Sequence, residues 1–349
     1  MLLSDYLHKN ILVIDLRYIG DCIFLIPLIR NLKKNLPNSK ISALVNEGGE
    51  SLLRLIPEIN EVITVKRKEI KGRLGVLKFL HLLRDVRRRD FDTVIVVPQS
   101  DRPTIISFAS GAGTRIGFTS NSWWRNWLLT HELKYDGGSP HHLIEYNLQI
   151  LTELGLKIYD RQLSIKLSEE YSTAILRKYP VLAKEDKKSI IVHPGARGTF
   201  RQWGADNFAR VINAFSTDYQ IFLIGGGAEG SIIEEILDKL DRSPDIVTTE
   251  LNLVEFASLC SLSGLFIGND SAPIHIAAAT GMFVIGIYGP TLSKFCKPWT
   301  GRSLLFDIST LECRPCEQDK CLSLQPKACI DVIKPEHVIE GVKNVLRKI

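Results

Sequence analysis

Three stretches of this sequence hold residue types that can do chemistry. The first is Gly268-Asn269-Asp270-Ser271-Ala272-Pro273, a turn between the short apolar run Leu265–Ile267 and the Ala-rich segment Ile274–Thr280. Asp270 and Ser271 at the mouth of a helix can cap it. The same mouth offers free backbone N–H groups and the positive end of a helix dipole, and the small Ser271 and Ala272 let a phosphate come close. On these residues alone, a well-capped βαβ crossover and a phosphate site both stay open. The second stretch is Gly225-Gly226-Gly227-Ala228-Glu229, between a strand pattern and a helix pattern. Glycines there let a ligand approach the backbone, and tight βα turns need glycine too. The third is Asp21, after the apolar run Asn10–Leu16 and the loop Arg17–Gly20. It stands where a helix over Cys22–Leu36 would begin, an N-cap position, and it is also a carboxylate at the C-terminal end of the first strand, where a general base would stand.

The cysteines are less decisive. Of seven, Cys22, Cys260 and Cys296 sit in apolar settings and read as small core residues. Cys313, Cys316, Cys321 and Cys329 cluster with spacings of two, four and seven intervening residues, which is no standard zinc finger. Structural zinc, reduced thiols and disulfides remain open for them. The odd total argues against a secreted disulfide framework. His141-His142 is no metal pair, because adjacent residues do not share a helix face.

The elements that must position these residues alternate strand and helix. Apolar runs at 10–16, 40–45, 62–65 and 93–97 are separated by helical patterns, and the stretch from about Leu163 to Lys188 breaks the rhythm. The alternation restarts with Ser189–His193, Asp206–Phe215, Gln220–Ile224, Ser231–Leu240 and Leu253–Cys260. This predicts an α/β protein with two doubly wound, Rossmann-like domains, 1–165 and 166–349, whose ligands sit in the crevice at the C-terminal strand edges. There is no GxGxxG after the first strand, which weakens a dehydrogenase reading.

Composition sets outer limits. The net charge of +5 is mild, and no recognition motif accompanies it, so no nucleic-acid partner is expected. Charged residues interrupt the N-terminal segment, which is no signal peptide, and no apolar run approaches the roughly 20 residues of a membrane span. A soluble, cytoplasmic chain is expected. The basic runs Lys66–Arg73 and Arg84–Arg89 read either as solvated faces or as a surface for a phosphorylated acceptor or anionic headgroups. Asn121–Leu129 holds three of the five tryptophans and reads equally as a lipid or sugar surface and as a core patch.

The ordered set GDCIFLIPLIRNLKKNLP, HPGARGTFRQW, GGGAE and GNDSAPIHIAAATG…GIYGPT resembles glycosyltransferase family 9, the ADP-heptose–lipopolysaccharide heptosyltransferases, over nearly the whole chain. The resemblance implies a GT-B fold, two Rossmann-like domains facing across a cleft, with the acceptor on the first and the nucleotide sugar on the second. It implies inverting transfer of heptose from ADP-L-glycero-β-D-manno-heptose to a lipopolysaccharide inner-core acceptor of the Kdo–lipid A type. It implies no cofactor and no catalytic metal, and it leaves room for peripheral contact with the inner membrane.

The family's catalytic aspartate, preceded by a glycine, matches Asp21 and Gly20, with Asp21 taking the acceptor proton. Its basic residue two before a tryptophan matches Arg201, which would neutralise the departing diphosphate; Arg replaces the Lys of some members. Its DxGxxH-like loop matches Asp270, Ser271, Ala272 and His275, with the amides of 271 and 272 on the diphosphate and Ala272 in place of Gly. Gly195, Ala196, Gly226 and Glu229 would line the nucleotide pocket. Cys-rich tails recur in some members, which offers a shared structural loop as a further reading of Cys313–Cys329. A non-catalytic nucleotide-sugar binder and a nucleotide-sugar epimerase of the same fold are the rival readings.

Overall fold

Runs such as Asn10-Ile-Leu-Val-Ile-Asp15 are apolar on both faces, as strands of a parallel sheet must be when helices cover both sides. The computed structural model describes residues 9–66, 72–98, 100–134, 142–183, 188–308, 311–316, 321, 323 and 327–348, with 72–74 described by backbone alone. The start of the chain, most of the Lys66–Arg73 loop, His141 and most of the Lys184–Lys188 run lie outside them. The chain forms two compact units, Met1–Leu163 and Ser164–Ile349.

The first unit runs β1 (Asn10–Asp15), α1 (Ile19–Ile23), α2 (Ile26–Asn35), β2 (Lys40–Asn46), α3 (Glu50–Leu53), β3 (Glu61–Val65), α4 (Gly72–Arg88), β4 (Thr93–Val96), α5 (Asp101–Ser110), β5 (Thr114–Phe118), α6 (Trp123–Leu128), β6 (His131–Leu133) and α7 (Leu143–Glu153). Its six strands are parallel, in the order β3-β2-β1-β4-β5-β6. The chain steps outward from β1 to β3 and then returns to lay β4 beside β1. That reversal opens a crevice at the C-terminal ends of β1 and β4.

The second unit begins with α8 (Glu169–Lys178) and continues β7 (Ser189–His193), α9 (Ala205–Phe215), β8 (Gln220–Ile224), α10 (Gly230–Leu237), β9 (Ile246–Thr248), α11 (Leu253–Ser261), β10 (Leu265–Asn269), α12 (Ala272–Ala279), β11 (Phe283–Tyr288), α13 (Ser293–Cys296), β12 (Ser303–Asp307), α14 (Ala328–Asp331) and α15 (Pro335–Leu346). Its order, β12-β11-β10-β7-β8-β9, is again all parallel. The reversal here lies between β7 and β10, so the predicted motifs His193–Trp203 and Asn269–His275 leave from adjacent strand ends.

Packing fixes α12 where its mouth is needed. A Cβ on Gly286 would sit 2.7 Å from Ile274 Cδ1, so the glycine lets the helix rest directly on β11. Ala277, Ala278 and Ala279 are buried on the same helix. Gly281 follows its end at φ +87°, the left-handed conformation that stops a helix. Trp203 is buried in the core of this unit, and its indole N–H donates to Ile333 O at 2.7 Å. Among the described residues, no helix is long and apolar enough to cross a membrane.

Two expectations change. The single helix expected over Cys22–Leu36 is two, α1 and α2, because Leu25 N–H already turns to Cys22 O and Pro27 occupies the first turn of a new helix. The Trp cluster is exposed at Trp123 and Trp127, and α6 has no buried residue.

Candidate functional site

At the first crevice, Asp21 is not the N-cap that its position in the sequence suggests. Helix α1 starts two residues earlier, at Ile19, which puts Asp21 at the third helical position. From there its carboxylate accepts the Tyr18 backbone N–H at 3.0 Å, a first-turn donor with no helical partner. Gly20 is the residue before it in the same turn. Arg17 Nη1 lies 3.7 Å from Asp21. Arg17 is itself held by Asp15, wholly buried at the end of β1: Nε donates to Oδ1 at 2.9 Å and Nη2 to Oδ2 at 2.6 Å. Burial opposes the charge on Arg17, but Asp15 and Asp21 outweigh it and raise its pKa. A carboxylate, a guanidinium and a second carboxylate thus stand in series, the first buried and the other two partly exposed. Cys22, buried beside them, has its thiol pushed up by burial and by the two aspartates, so it is no nucleophile.

At the second crevice, one residue ties the two strand ends together. Asn269 Nδ2 donates to Pro194 O at 2.6 Å, and its Oδ1 accepts the Trp203 N–H at 3.3 Å. Between these anchors a short 3-10 turn, Thr199–Arg201, carries Arg201, whose Nη1 pairs with Asp270 Oδ2 at 3.2 Å. Burial pushes the Asp270 carboxyl up, and Arg201, Thr291 and Cys296 pull it back only in part. The Asp270–Ser271 pair does not cap α12: Asp270 is turned to Arg201, and the Ser271 hydroxyl donates to Asn269 O at 3.3 Å. The N–H groups of Ser271 and Ala272 stand at the N-cap and first position, where the helix has no carbonyl for them. His275 is buried one turn further along α12.

Beside this mouth lies a second cluster. Glu229 accepts the Gly226 N–H at 2.6 Å and lies over Gly195, where a Cβ would fall 1.7 Å from Glu229 Oε1. His193, buried at the end of β7, brings Nε2 to 3.3 Å from Glu229 Oε2. Burial lowers the His193 pKa against the pull of Glu229. Gly195, Gly226 and Glu229 therefore meet. Ala196 stands in the same loop, its carbonyl accepting from Gln202 Nε2 at 3.2 Å.

Volume alone does not select this site. Cavities of about 510 and 530 Å³ open elsewhere on the second unit, one between β12 and α15 and the other at the N-terminal strand edge around Ser189 and Gln220. Neither gathers convergent charged groups at a strand C-terminus.

The seven cysteines are free thiols. Cys313, Cys316 and Cys321 lie near enough to Cys329 to act on its thiol, which burial, first of all, pushes up. Among the described residues, no group of three His, Cys, Asp or Glu is arranged to hold a metal ion.

The model of glycosyltransferase family 9 (heptosyltransferase) matches residues 79–326. The chain belongs to this family. Lipopolysaccharide heptosyltransferase 3 of Escherichia coli is 28% identical to this family 9 chain over 299 residues, 83% of this chain and 86% of its own. The solved glycosyl transferase family 9 structure from Veillonella parvula superposes with a TM-score of 0.86 at 23% identity, covering 98% of each chain. The E. coli ADP-heptose lipopolysaccharide heptosyltransferase II gives 0.79 at 21% identity, over 97% of this chain and 99% of its own. The fold is the α/β GT-B fold that the motif order implies.

Four site residues receive no role from the sequence: Asp15 and Arg17, which lie outside the motifs, and His193 and Asn269, which lie inside them. A signal existed for the first two. Arg17 stands two residues after Asp15, just past the end of β1, where an Asp side chain accepts the backbone N–H two residues on, as it does here at 3.0 Å. His193 and Asn269 are the last residues of the two strands that flank the reversal, a position that topology alone singles out.

Proposed function

We propose that this chain is an inverting heptosyltransferase. It moves heptose from ADP-L-glycero-β-D-manno-heptose to a hydroxyl of a lipopolysaccharide inner-core acceptor of the Kdo–lipid A type. The observation that carries this reading is the likeness to lipopolysaccharide heptosyltransferase 3 across most of both chains. The residues at the two crevices supply a chemistry that suits it. In this reading residues 1–165 take the acceptor and residues 166–349 the donor.

Inversion needs a base for the attacking hydroxyl and a stabilised leaving group, with no covalent intermediate. Asp21 is the base: Tyr18 N–H and Arg17 hold its carboxylate in place without covering it, and its side chain stays 14% exposed. The leaving ADP gathers negative charge on its diphosphate. Arg201 and the amides of Ser271 and Ala272 meet that charge at the positive end of α12. Glu229, held by Gly226 N–H and His193, presents a fixed acceptor to hydroxyls of the nucleotide sugar, and Gly195 and Ala196 let it approach the backbone. His275 supports the loop from within α12. With a cationic side chain and a helix mouth on the diphosphate, the transfer runs without a metal ion. The acceptor being lipid-anchored, the chain works at a membrane surface.

Calorimetry of the purified chain in chelator against ADP, ADP-heptose, UDP and GDP tests the donor side. Binding of ADP and ADP-heptose alone is the expected result. Selective binding of UDP or GDP would keep the transferase and discard heptose, and binding only after a divalent cation is restored would overturn metal independence.

A further inference from the structure

Helices α4, α5 and α6 lie side by side on the first unit. Arg87 of α4 covers Gly111 at the end of α5, and Phe108 of α5 lies 6.3 Å from Trp127 of α6, ring centre to ring centre. The inner side of α4 is ordinary: Phe79, Leu82, Leu83 and Val86 pack into the core. The outer side is not. Val76, Leu77 and Leu80 are exposed on α4, Phe108 on α5, and Trp123 and Trp127 on α6, the two tryptophans at 79% and 72%. These six are half of the twelve large hydrophobic side chains exposed among the described residues. Scattered exposed hydrophobics need no explanation, but half of them gathered on three successively packed helices do.

The charge in the same segment is as uneven. Residues 72–128 hold nine Lys and Arg against four Asp and no Glu, a net +5, while the rest of the chain is balanced at 35 against 35. The whole formal charge of the chain is therefore concentrated here. Some of these cations serve the fold: Arg89 pairs with Glu61 and Asp85, Arg125 with Asp101, and Arg115 donates to Leu128 O and Ala112 O. Arg84, Arg87, Arg88 and Arg102 are exposed and pair with no carboxylate among the described residues.

We propose that the outer face of α4, α5 and α6 docks on an anionic phospholipid bilayer. Trp and aliphatic side chains suit the apolar–polar boundary of a bilayer, where an indole buries its ring and keeps its N–H wet. Unpaired arginines beside them complement phosphate headgroups. A neutral protein partner would explain the apolar group but not the concentration of charge. The proposal rests on the heptosyltransferase reading only in that a lipid-anchored acceptor gives docking a use. Vesicle binding is measured with neither substrate present, so the two readings fail separately.

The test is co-sedimentation of the full chain with phosphatidylcholine vesicles, with and without phosphatidylglycerol, followed also by tryptophan emission. Binding to the anionic vesicles, a blue shift on binding, and weakening as salt shortens the Debye length from about 10 Å to about 3 Å are expected. Each cation removed should cost about fivefold, so R84Q/R88Q/R102Q should bind about a hundredfold more weakly. W123S/W127S should lose the blue shift and about tenfold or more in binding, with thermal melting unchanged. Should the double variant melt early, Trp123→Ser alone carries the test. Equal binding to neutral vesicles, no binding at all, or binding indifferent to both sets of substitutions would overturn the proposal. So would a concentration-dependent dimer that W123S/W127S abolishes, since a second copy would then be what covers this face.

Discussion

The two crevices use the same device to different effect. In each, a buried aspartate at a strand end holds a guanidinium. In the second unit the series stops there: Asp270 is buried, Arg201 is 26% exposed, and what reaches the surface is a cation. In the first unit the series is one link longer. Asp15 holds Arg17, Arg17 lies beside Asp21, and what reaches the surface is a cation and an anion side by side, Arg17 at 23% and Asp21 at 14% exposed. An extra ion pair in series adds a carboxylate to the groups offered to a ligand. In the proposed function, that added carboxylate is the base for a hydroxyl, and the lone cation of the second unit is the counter-ion for a diphosphate.

The comparison can be broken at its ends. Asp21→Asn keeps the shape of the first series and removes its terminal charge. Transfer should fall by about 10²–10⁴, the range of a lost general base, while ADP binding by calorimetry stays unchanged. If donor affinity fell in step with rate, Asp21 would belong to binding and the contrast would collapse. Arg201→Gln removes the terminal charge of the second series. The rate should fall by roughly 10²–10³ and ADP affinity with it, and Arg201→Lys should recover part of the loss.

The same substitution has a signature in stability. The Asp270 carboxyl already lies above the ordinary carboxylate range, because burial outweighs Arg201. Its ionised form therefore costs stability at neutral pH, and that cost is relieved as pH falls through the raised folded-state pKa. Without Arg201 the carboxyl rises further, so denaturant melts should find R201Q more destabilised relative to wild type at pH 8 than at pH 5. A penalty equal at both pH values would mean that Asp270 does not depend on Arg201. The smallest effect is expected at Gly195→Ala. The new methyl meets the far end of Glu229 and not backbone, so it should push the carboxylate off Gly226 and His193 with little change in melting temperature. The KM for the donor should rise about tenfold, the worth of one hydrogen bond to a charged group.

Much of this architecture is legible in the sequence, and the exceptions share a cause. The strands at 10–15, 189–193 and 283–288 announce themselves, because a buried parallel strand is a continuous apolar run. Strands β6 and β9, three residues each, are too short for any periodicity to register. The break between α1 and α2 had a signal in Pro27, which suits the first turn of a helix and not its interior, but the apolar run on either side of it conceals where α1 stops. Within the site, motif order locates Asp21, Arg201 and the loop at Asp270, since those rely on local spacing. It gives no role to His193 and Asn269, although both stand inside the motifs, because their partners lie 36 residues or more away in the chain and meet only through the order of β8, β7 and β10 in the sheet.

Asn269 has one more consequence. By gripping Pro194 at one end and Trp203 at the other, it pins both ends of the segment that carries Arg201. Residues 195–202 then span a fixed distance set by the core and not by whatever ligand arrives. Such a segment can change its residues and keep its reach, but it cannot change its length without carrying Arg201 away from Asp270. For anyone redesigning the donor specificity of this enzyme, the segment is open to substitution and closed to insertion.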